Sequence, residues 1–503
     1  MSTTPIATRD EPIPARTDGA GTTVARNALF LVGGQLLGMP LSLAVAAVMA
    51  RRLGAEDFGY LYLAGTLVSF GFLLVEWGQG GTLPSLIARD PSRAGALLGS
   101  GLAWRAASAL PVYGSLVLVA WGLGQGARLQ LVLALVVVAR VFGTIAGAVL
   151  DAARGLENTR LSANSQVRYN VLCAALIIPG LWLGGQLLFA LLALAAADVL
   201  NTLLVLRSAR SLGFGKLGVR AADVRTELVD GVPFMVLGLA LALQPNVDAT
   251  LLAKLGTAAA VGWHAAARKL IGVMVFPVNA ICGSLYPTLC RLHTESRARF
   301  RELLRTTLQT SVLLAMPIAL GCWLYADIGV QIFSKSSFEP ARDNLRILSL
   351  FLFLLYFSMI LGTGIIAAGR QKAWTLTQFA CVLVSALADP FLIPWFQRRA
   401  GNGGLGVCVS AVFSEVLMVA VGLALAPAGL IDRVLLRSFA AAVAAALAMV
   451  AVAVGLSRLQ LNSFLAAPIS VAAYAAALRL TGQLDRDKLQ VLRSLLKKDA
   501  GDS

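Results

Sequence analysis

Charge is scarce in this sequence. Only 14% of its 503 residues are Asp, Glu, Lys or Arg, against about 25% in an average soluble protein. Histidine is scarcer still, with only His264 and His293, and none of the six cysteines belongs to a CxxC pair. That pattern excludes a structural zinc site or a disulfide framework as the organising feature. Cys173, Cys282, Cys290, Cys322, Cys381 and Cys408 stand singly within or beside apolar runs and read as small packing residues. No GxxxxGK[ST] stretch is present, so ATP hydrolysis at a P-loop is excluded. No nucleophile–base arrangement, phosphate-cradling loop or metal cluster emerges either. Catalysis is therefore not expected, and neither is a cofactor or a metal. Residues 1–25 have no apolar core of the kind a secretory signal needs, and are expected to form a disordered cytoplasmic tail.

Acids are the rarer charge. Lys and Arg total 42 against 26 Asp and Glu, a net charge of +16. A soluble chain so basic would suggest nucleic acid. Here the basic residues lie between long apolar runs, where they mark cytoplasmic loops and touch anionic lipid headgroups. Nucleic acid is not an expected partner; membrane lipid is.

What is abundant is apolar sequence: 58% of residues are hydrophobic, and the mean hydropathy is +0.77. Runs of 18 or more apolar residues recur from Asn27 to Leu480, each long enough to cross a hydrocarbon layer of about 30 Å as a helix. The fold class is an all-α polytopic membrane protein. Charged, Gly and Pro punctuation predicts fourteen spans, with cores at 27–50, 60–86, 96–121, 130–150, 168–184, 187–206, 231–252 and 260–289. The remaining six are 306–325, 343–368, 374–396, 404–426, 436–456 and 463–481. With both termini cytoplasmic, Lys and Arg favour the inner segments over the outer loops by about three to one. The expected location is a bacterial plasma (inner) membrane.

An internal repeat is visible. Arg52-Leu53-Gly54, closing span one, is followed by Phe58-Gly59-Tyr60. Lys254-Leu255-Gly256, closing span seven, is followed by Val261-Gly262-Trp263. Six spans separate the two copies, so both enter the membrane in the same sense, as parallel repeats about an axis along the membrane normal. Gly54 and Gly256 are expected in tight outer turns. Gly59 and Gly262 are expected to let the second helix of each hairpin approach closely.

Three stretches carry a resemblance. ARRLGAEDFGYLYLAGTLVSF (Ala50–Phe70) runs on to EWGQGGTLPSLIAR (Glu76–Arg89); NVDATLLAKLGTAAAVGWHAAARKL covers Asn246–Leu270; LYPTLCRL covers Leu285–Leu292. Together they resemble the polysaccharide flippases of the O-antigen, or Wzx-type, branch of the multidrug/oligosaccharidyl-lipid/polysaccharide (MOP) exporter superfamily. The likeness covers spans one to twelve in layout, through short motifs. It implies a transporter that moves a polyprenyl-pyrophosphate-linked oligosaccharide from the inner to the outer leaflet. It also implies two six-helix lobes that rock around a central cavity. The lobes would be 26–207 and 230–427, joined by a cytoplasmic linker at 208–229. Two further spans would occupy 428–482, and 483–503 would be an amphipathic tail on the inner surface. A glycan polymerase or glycosyltransferases are the partners such a role admits. A multidrug/cation antiporter of the same superfamily is the alternative, and a membrane enzyme of glycan assembly a third. The family's early acid-Gly motif stands here as Glu76-Trp77-Gly78. The lipid II branch tends to carry cations within its first span, and none lies between Ala28 and Ala50.

Charges inside the spans are the site candidates, since each costs about 2.5–3.5 kcal/mol at mid-membrane on insertion scales. Arg105, Arg140, Arg268 and Lys269 are the candidates for a substrate path; a guanidinium can bind pyrophosphate bidentately. Glu76, Asp198, Asp248, Asp389 and Glu415 are the candidates for coupling to a proton or Na⁺, or for pairing with those bases. Five acids nearly balance four bases, so the sequence predicts no cationic cavity. Pro277 and Pro317 are hinge candidates. His293–Arg305 is expected to be an interfacial lead-in to span nine.

Overall fold

The computed structural model describes residues 20–122, 126–214, 216–333, 337–427 and 429–483. Among these, the regular elements are helices and there is no strand. This is what lipid dictates: without water to bond the backbone, an apolar run must satisfy its own N–H and C=O groups. Helix α1 spans Ala20–Glu76, α2 Gln79–Arg89, α3 Ala94–Gly122, α4 Ala127–Gly155, α5 Thr159–Trp182 and α6 Leu187–Ala209. Next come α7 Ala221–Leu255, α8 Ala258–Met274, α9 Phe276–Glu295, α10 Arg297–Leu324 and the short α11 Ala326–Phe333. The chain finishes with α12 Ala341–Ala367, α13 Gln371–Ala400, α14 Gly404–Leu425, α15 Arg433–Arg458 and α16 Ser463–Leu480. Helix starts carry caps: the side chains of Asn158, Thr257, Ser296 and Asp432 each accept a backbone N–H of the following turn.

Ten helices are long and apolar enough to cross a membrane, or up to twelve when two bent pairs are each taken as one span. The expected fourteen is reached only by dividing α1 into its two arms and adding α5. Gly54 is where α1 divides. Its φ of 80° and ψ of 177° are non-helical, a conformation that a side chain would strain. Gly256 differs: its φ is −112°, so the two repeat turns are not alike. Because α7 bears on both α1 and α13, and α8 on both α1 and α12, the apolar core runs continuously through the middle of the molecule. Helices α15 and α16 pair with each other and dock on α10, where the Tyr474 hydroxyl donates to the Leu313 carbonyl at 3.0 Å.

We call the end that carries residues 89–93 and 207–220 the inner end, following the charge pattern above, and the opposite one the outer end. The linker expected at 208–229 is not a free loop. Arg220 N–H donates to Ser100 Oγ at 3.2 Å, Arg93 pairs with Asp223, and α7 starts at Ala221. The stretch His293–Arg305 is divided at the extended Ser296 between the end of α9 and the first turns of α10. Its second part leads into span nine as the first turns of α10. The amphipathic tail expected beyond Gln483 and most of the N-terminal tail lie outside the described residues.

Candidate functional site

A cavity of about 480 Å³ lies between α1, α4, α5, α6 and α8. Its charged lining is Arg140 from α4, Asp198 from α6, and Arg268 and Lys269 from α8. Ser42, Tyr62, Tyr169 and Asn170 add polar atoms, and Val45, Met49, Phe58 and Leu61 an apolar wall. Apart from the adjacent pairs Arg268–Lys269 and Tyr169–Asn170, sequence spacing brings none of these together. The cavity forms because α8, from the second repeat, packs directly on α1.

The balance of charge here is not that of the sequence. Three cations face one carboxylate, and none of the three forms a salt bridge among the described residues. Arg140 is exposed to the cavity while Asp198 is buried in its wall. Lys269 Nζ donates to Ser42 Oγ at 2.9 Å. The Arg268 guanidinium sits 5.5 Å from the Phe351 ring centre, a cation–π distance. The group is a set of cationic donors around space, able to receive an anion.

The other candidates are elsewhere. Arg105 does not share this cavity: it is fully buried in the inner half of α3, with Nη2 2.6 Å from Asp151. Its Nε donates to Gln79 Oε1 at 2.7 Å and its Nη1 to the Thr144 carbonyl at 3.1 Å. Every nitrogen of the fork is committed, which is the arrangement of a fixed ion pair. Glu76 belongs to the same neighbourhood. Trp77 and Gly78 take positive φ (49° and 74°) and break the helix, and the Glu76 carboxylate accepts the Gly80 N–H at the start of α2. The acid-Gly motif is thus a capped break.

Asp248 of α7 and Asp389 of α13 are brought together, both buried. Ser385 Oγ donates to Asp248 at 2.7 Å and Ser410 Oγ donates to Asp389. The second Asp389 oxygen has no donor from a neutral or basic side chain among the described residues, and Asp248 is its neighbour. Two buried carboxylates side by side repel unless a proton or cation lies between them. Glu415 stands apart, accepting from Ser358.

Of the hinge candidates, Pro277 is the second residue of α9, where α8 and α9 meet at a 43° bend. Pro317 lies inside an unbroken α10. A bend the sequence reading missed divides α7, by 46° between Ala221–Ala240 and Ala242–Leu255. Its signal was Pro245, which has no N–H to give the carbonyl four residues back, at the bend itself. The cavity lining of Ser42, Tyr62, Tyr169 and Asn170 was also missed; single polar residues in apolar runs are too common to single out.

Residues 24–293, more than half of the chain, match the family described as polysaccharide biosynthesis protein. The chain belongs to that family. The polysaccharide biosynthesis protein also has the fold of MOP superfamily transporters. A structure of the lipid II flippase MurJ in an inward closed conformation aligns at TM-score 0.69 and 13% identity, over 94% of this chain and 99% of that one. An inward-facing multidrug resistance MATE family transporter aligns at 0.65 and 13% identity, over 80% and 97%. A MOP superfamily transporter from Pyrococcus furiosus aligns at 0.56 and 14% identity, over 80% and 94%. At these identities the likeness concerns the fold alone. No curated protein matches the chain.

Proposed function

We propose that this polysaccharide biosynthesis protein flips a polyprenyl-pyrophosphate-linked oligosaccharide from the inner to the outer leaflet by alternating access. The observation that supports this reading is the cavity's charge: three cations, Arg140, Arg268 and Lys269, against the single carboxylate of Asp198. A pyrophosphate carries the charge such a site attracts, and planar guanidinium groups match its oxygens. A cavity for cationic drugs would need the opposite sign, which weighs against the antiporter alternative. In this reading the Asp248–Asp389 pair takes the coupling proton or Na⁺. Both termini are cytoplasmic, and spans one to six and seven to twelve form the lobes.

The test is a deletion strain in which lipid-linked oligosaccharide, surface polysaccharide and susceptibility to cationic drugs are all measured. Accumulated lipid intermediate, lost surface glycan and unchanged drug susceptibility are expected. Normal glycan with increased drug sensitivity would transfer the role to the antiporter. Arg140→Ala and Arg268→Ala should reproduce the glycan defect with normal membrane insertion; unchanged export in both sinks their assignment.

A further inference from the structure

Lys and Arg are scarce at the outer end, yet two arginines meet there in one place. A second cavity, of about 340 Å³, lies at the outer end of the N-terminal helices, between α1, α4 and α6. Arg52 of α1 and Arg128 of α4 line it, together with Asp57, Gln186, Leu188 and Leu191. Arg128 Nη2 lies 2.8 Å from one Asp57 oxygen and 2.9 Å from the other, so that carboxylate is already matched. Arg52 has no carboxylate partner among the described residues. Its guanidinium is held 4.3 Å from the Trp182 ring centre instead. Two guanidinium groups against one carboxylate leave the cavity in want of an anion.

The backbone adds to that charge. Helices α4 and α6 both begin here, and neither start is capped by a side chain: Gly126 has none, and Gln186 makes no such bond. Their positive ends reinforce the two arginines. Below the charged level the wall is apolar. Leu131 and Leu188 line the cavity one turn or less from the helix starts, and they and Trp182 are more than half exposed. On a membrane helix such exposure is to acyl chains and the interface, where Trp is at home. Leu191 is buried and lines both this cavity and the central one, so it is the partition between them.

We propose that this outer cavity binds the phosphate of an anionic outer-leaflet phospholipid, with Arg52 and Arg128 on its oxygens and an acyl chain along Leu131 and Leu188. Guanidinium groups match phosphate oxygens. Charge selects the occupant: a zwitterionic headgroup brings its own cation beside two arginines, whereas a phosphatidylglycerol headgroup brings only the missing negative charge. Bound there, the lipid ties α1, α4 and α6 together at their outer ends. The site is independent of what the central cavity carries.

The test uses the full chain in phosphatidylcholine vesicles with a little phosphatidylglycerol that bears a photoreactive acyl chain. Adducts are mapped by peptide mass, and are expected on 127–135 and 182–192. Arg52→Ala combined with Arg128→Ala should lower them by roughly tenfold, through loss of charged hydrogen bonds. Asp57→Asn removes the competing carboxylate and should raise them by roughly threefold, a gain that a misfolded chain cannot give. Arg458→Ala, at an exposed arginine elsewhere on the outer end, should change nothing. The proposal is overturned if the double variant and Asp57→Asn both label like the wild type. It is equally overturned if photoreactive phosphatidylcholine labels the two segments as well as phosphatidylglycerol does, since that reports only helices that face lipid. Loss of the adducts on adding inorganic phosphate would mark a free-anion site and overturn the lipid assignment.

Discussion

The two seams that join the N-terminal helices to α8 and to α7 are built with opposite chemistry. At the outer end, α1 and α8 touch through bare backbone, at Gly59 and Gly262. At the inner end, the backbones also approach closely: a Cβ on Gly78 would lie 2.1 Å from the Gly231 carbonyl oxygen. There, however, the contact is stitched by polar side chains. Trp77 Nε1 donates to the Leu228 carbonyl at 3.2 Å, Gln79 Nε2 to Glu227 at 3.1 Å, and Arg93 pairs with Asp223. Behind these bonds stands the buried Arg105–Asp151 pair. Dispersion contacts are worth about 0.1–0.2 kcal/mol per atom pair and are easily exchanged for lipid or substrate. Opening a buried charged network exposes or orphans every member. The difference teaches which seam is held by packing alone and which one is anchored by charge. The first half of α7 is held by the N-terminal helices, and the 46° bend near Pro245 lets its second half pack with α13.

Removing one member of the anchor should have the largest effect. Asp151→Ala removes the one carboxylate that pairs directly with the buried Arg105 guanidinium, leaving Glu227 and Glu76 only within electrostatic reach, at a cost of about 3–5 kcal/mol. The expected result is a steep fall in melting temperature in detergent and in the amount of protein in the membrane. A melting temperature equal to wild type would mean that water reaches Arg105, and the contrast between the two ends would collapse.

Gln79→Ala probes the same seam more gently. Gln79 relays between Arg105 Nε and Glu227 Oε2, so its loss leaves both groups short of a partner, for about 1–3 kcal/mol. Because Glu227 lies on α7, this variant should also loosen the inner attachment of that helix. Hydrogen exchange of the backbone around Leu228 should rise while that around Gly262 stays unchanged. Equal changes at the two places would mean that the seams are not independent.

The sequence made the architecture legible because hydropathy and the Lys/Arg distribution are summed over many residues. It made the repeat legible because Gly and aromatic residues recur at fixed offsets. What it left hidden was partition. Arg105 and Arg140 both read as cations inside spans, yet one is locked to Asp151 and the other faces the cavity. Near-equal numbers of acids and bases concealed a cationic site, because Asp248, Asp389 and Glu415 are buried among α7, α12, α13 and α14 and do not line the cavity, although Asp248 and Glu415 stand within electrostatic reach of Arg268. The partner of Gly59 was hidden for the same reason: local spacing shows a close approach but not with what. Glu76-Trp77-Gly78 looked like an ionisable motif, and its acid proves to cap a helix break.

Arg140→Ala should have the smallest effect on stability, and that smallness is informative. Arg140 forms no salt bridge among the described residues and is exposed to the cavity, so its loss orphans nothing buried except the field it exerts on Asp198. Against that stands the relief of repulsion from Arg268 and Lys269, which line the same space. The net change should stay within about 0.5 kcal/mol, one-sixth or less of the Asp151→Ala effect, although both substitutions remove one charge from an apolar setting. Added inorganic pyrophosphate separates the two kinds of charge further. It should raise the melting temperature of the wild type and raise it less in Arg140→Ala, because a ligand stabilises only the state that binds it. A large loss of stability in Arg140→Ala would place Arg140 with Arg105 among the structural charges. A small loss together with a weakened response to pyrophosphate is the signature of a charge retained for what enters the cavity.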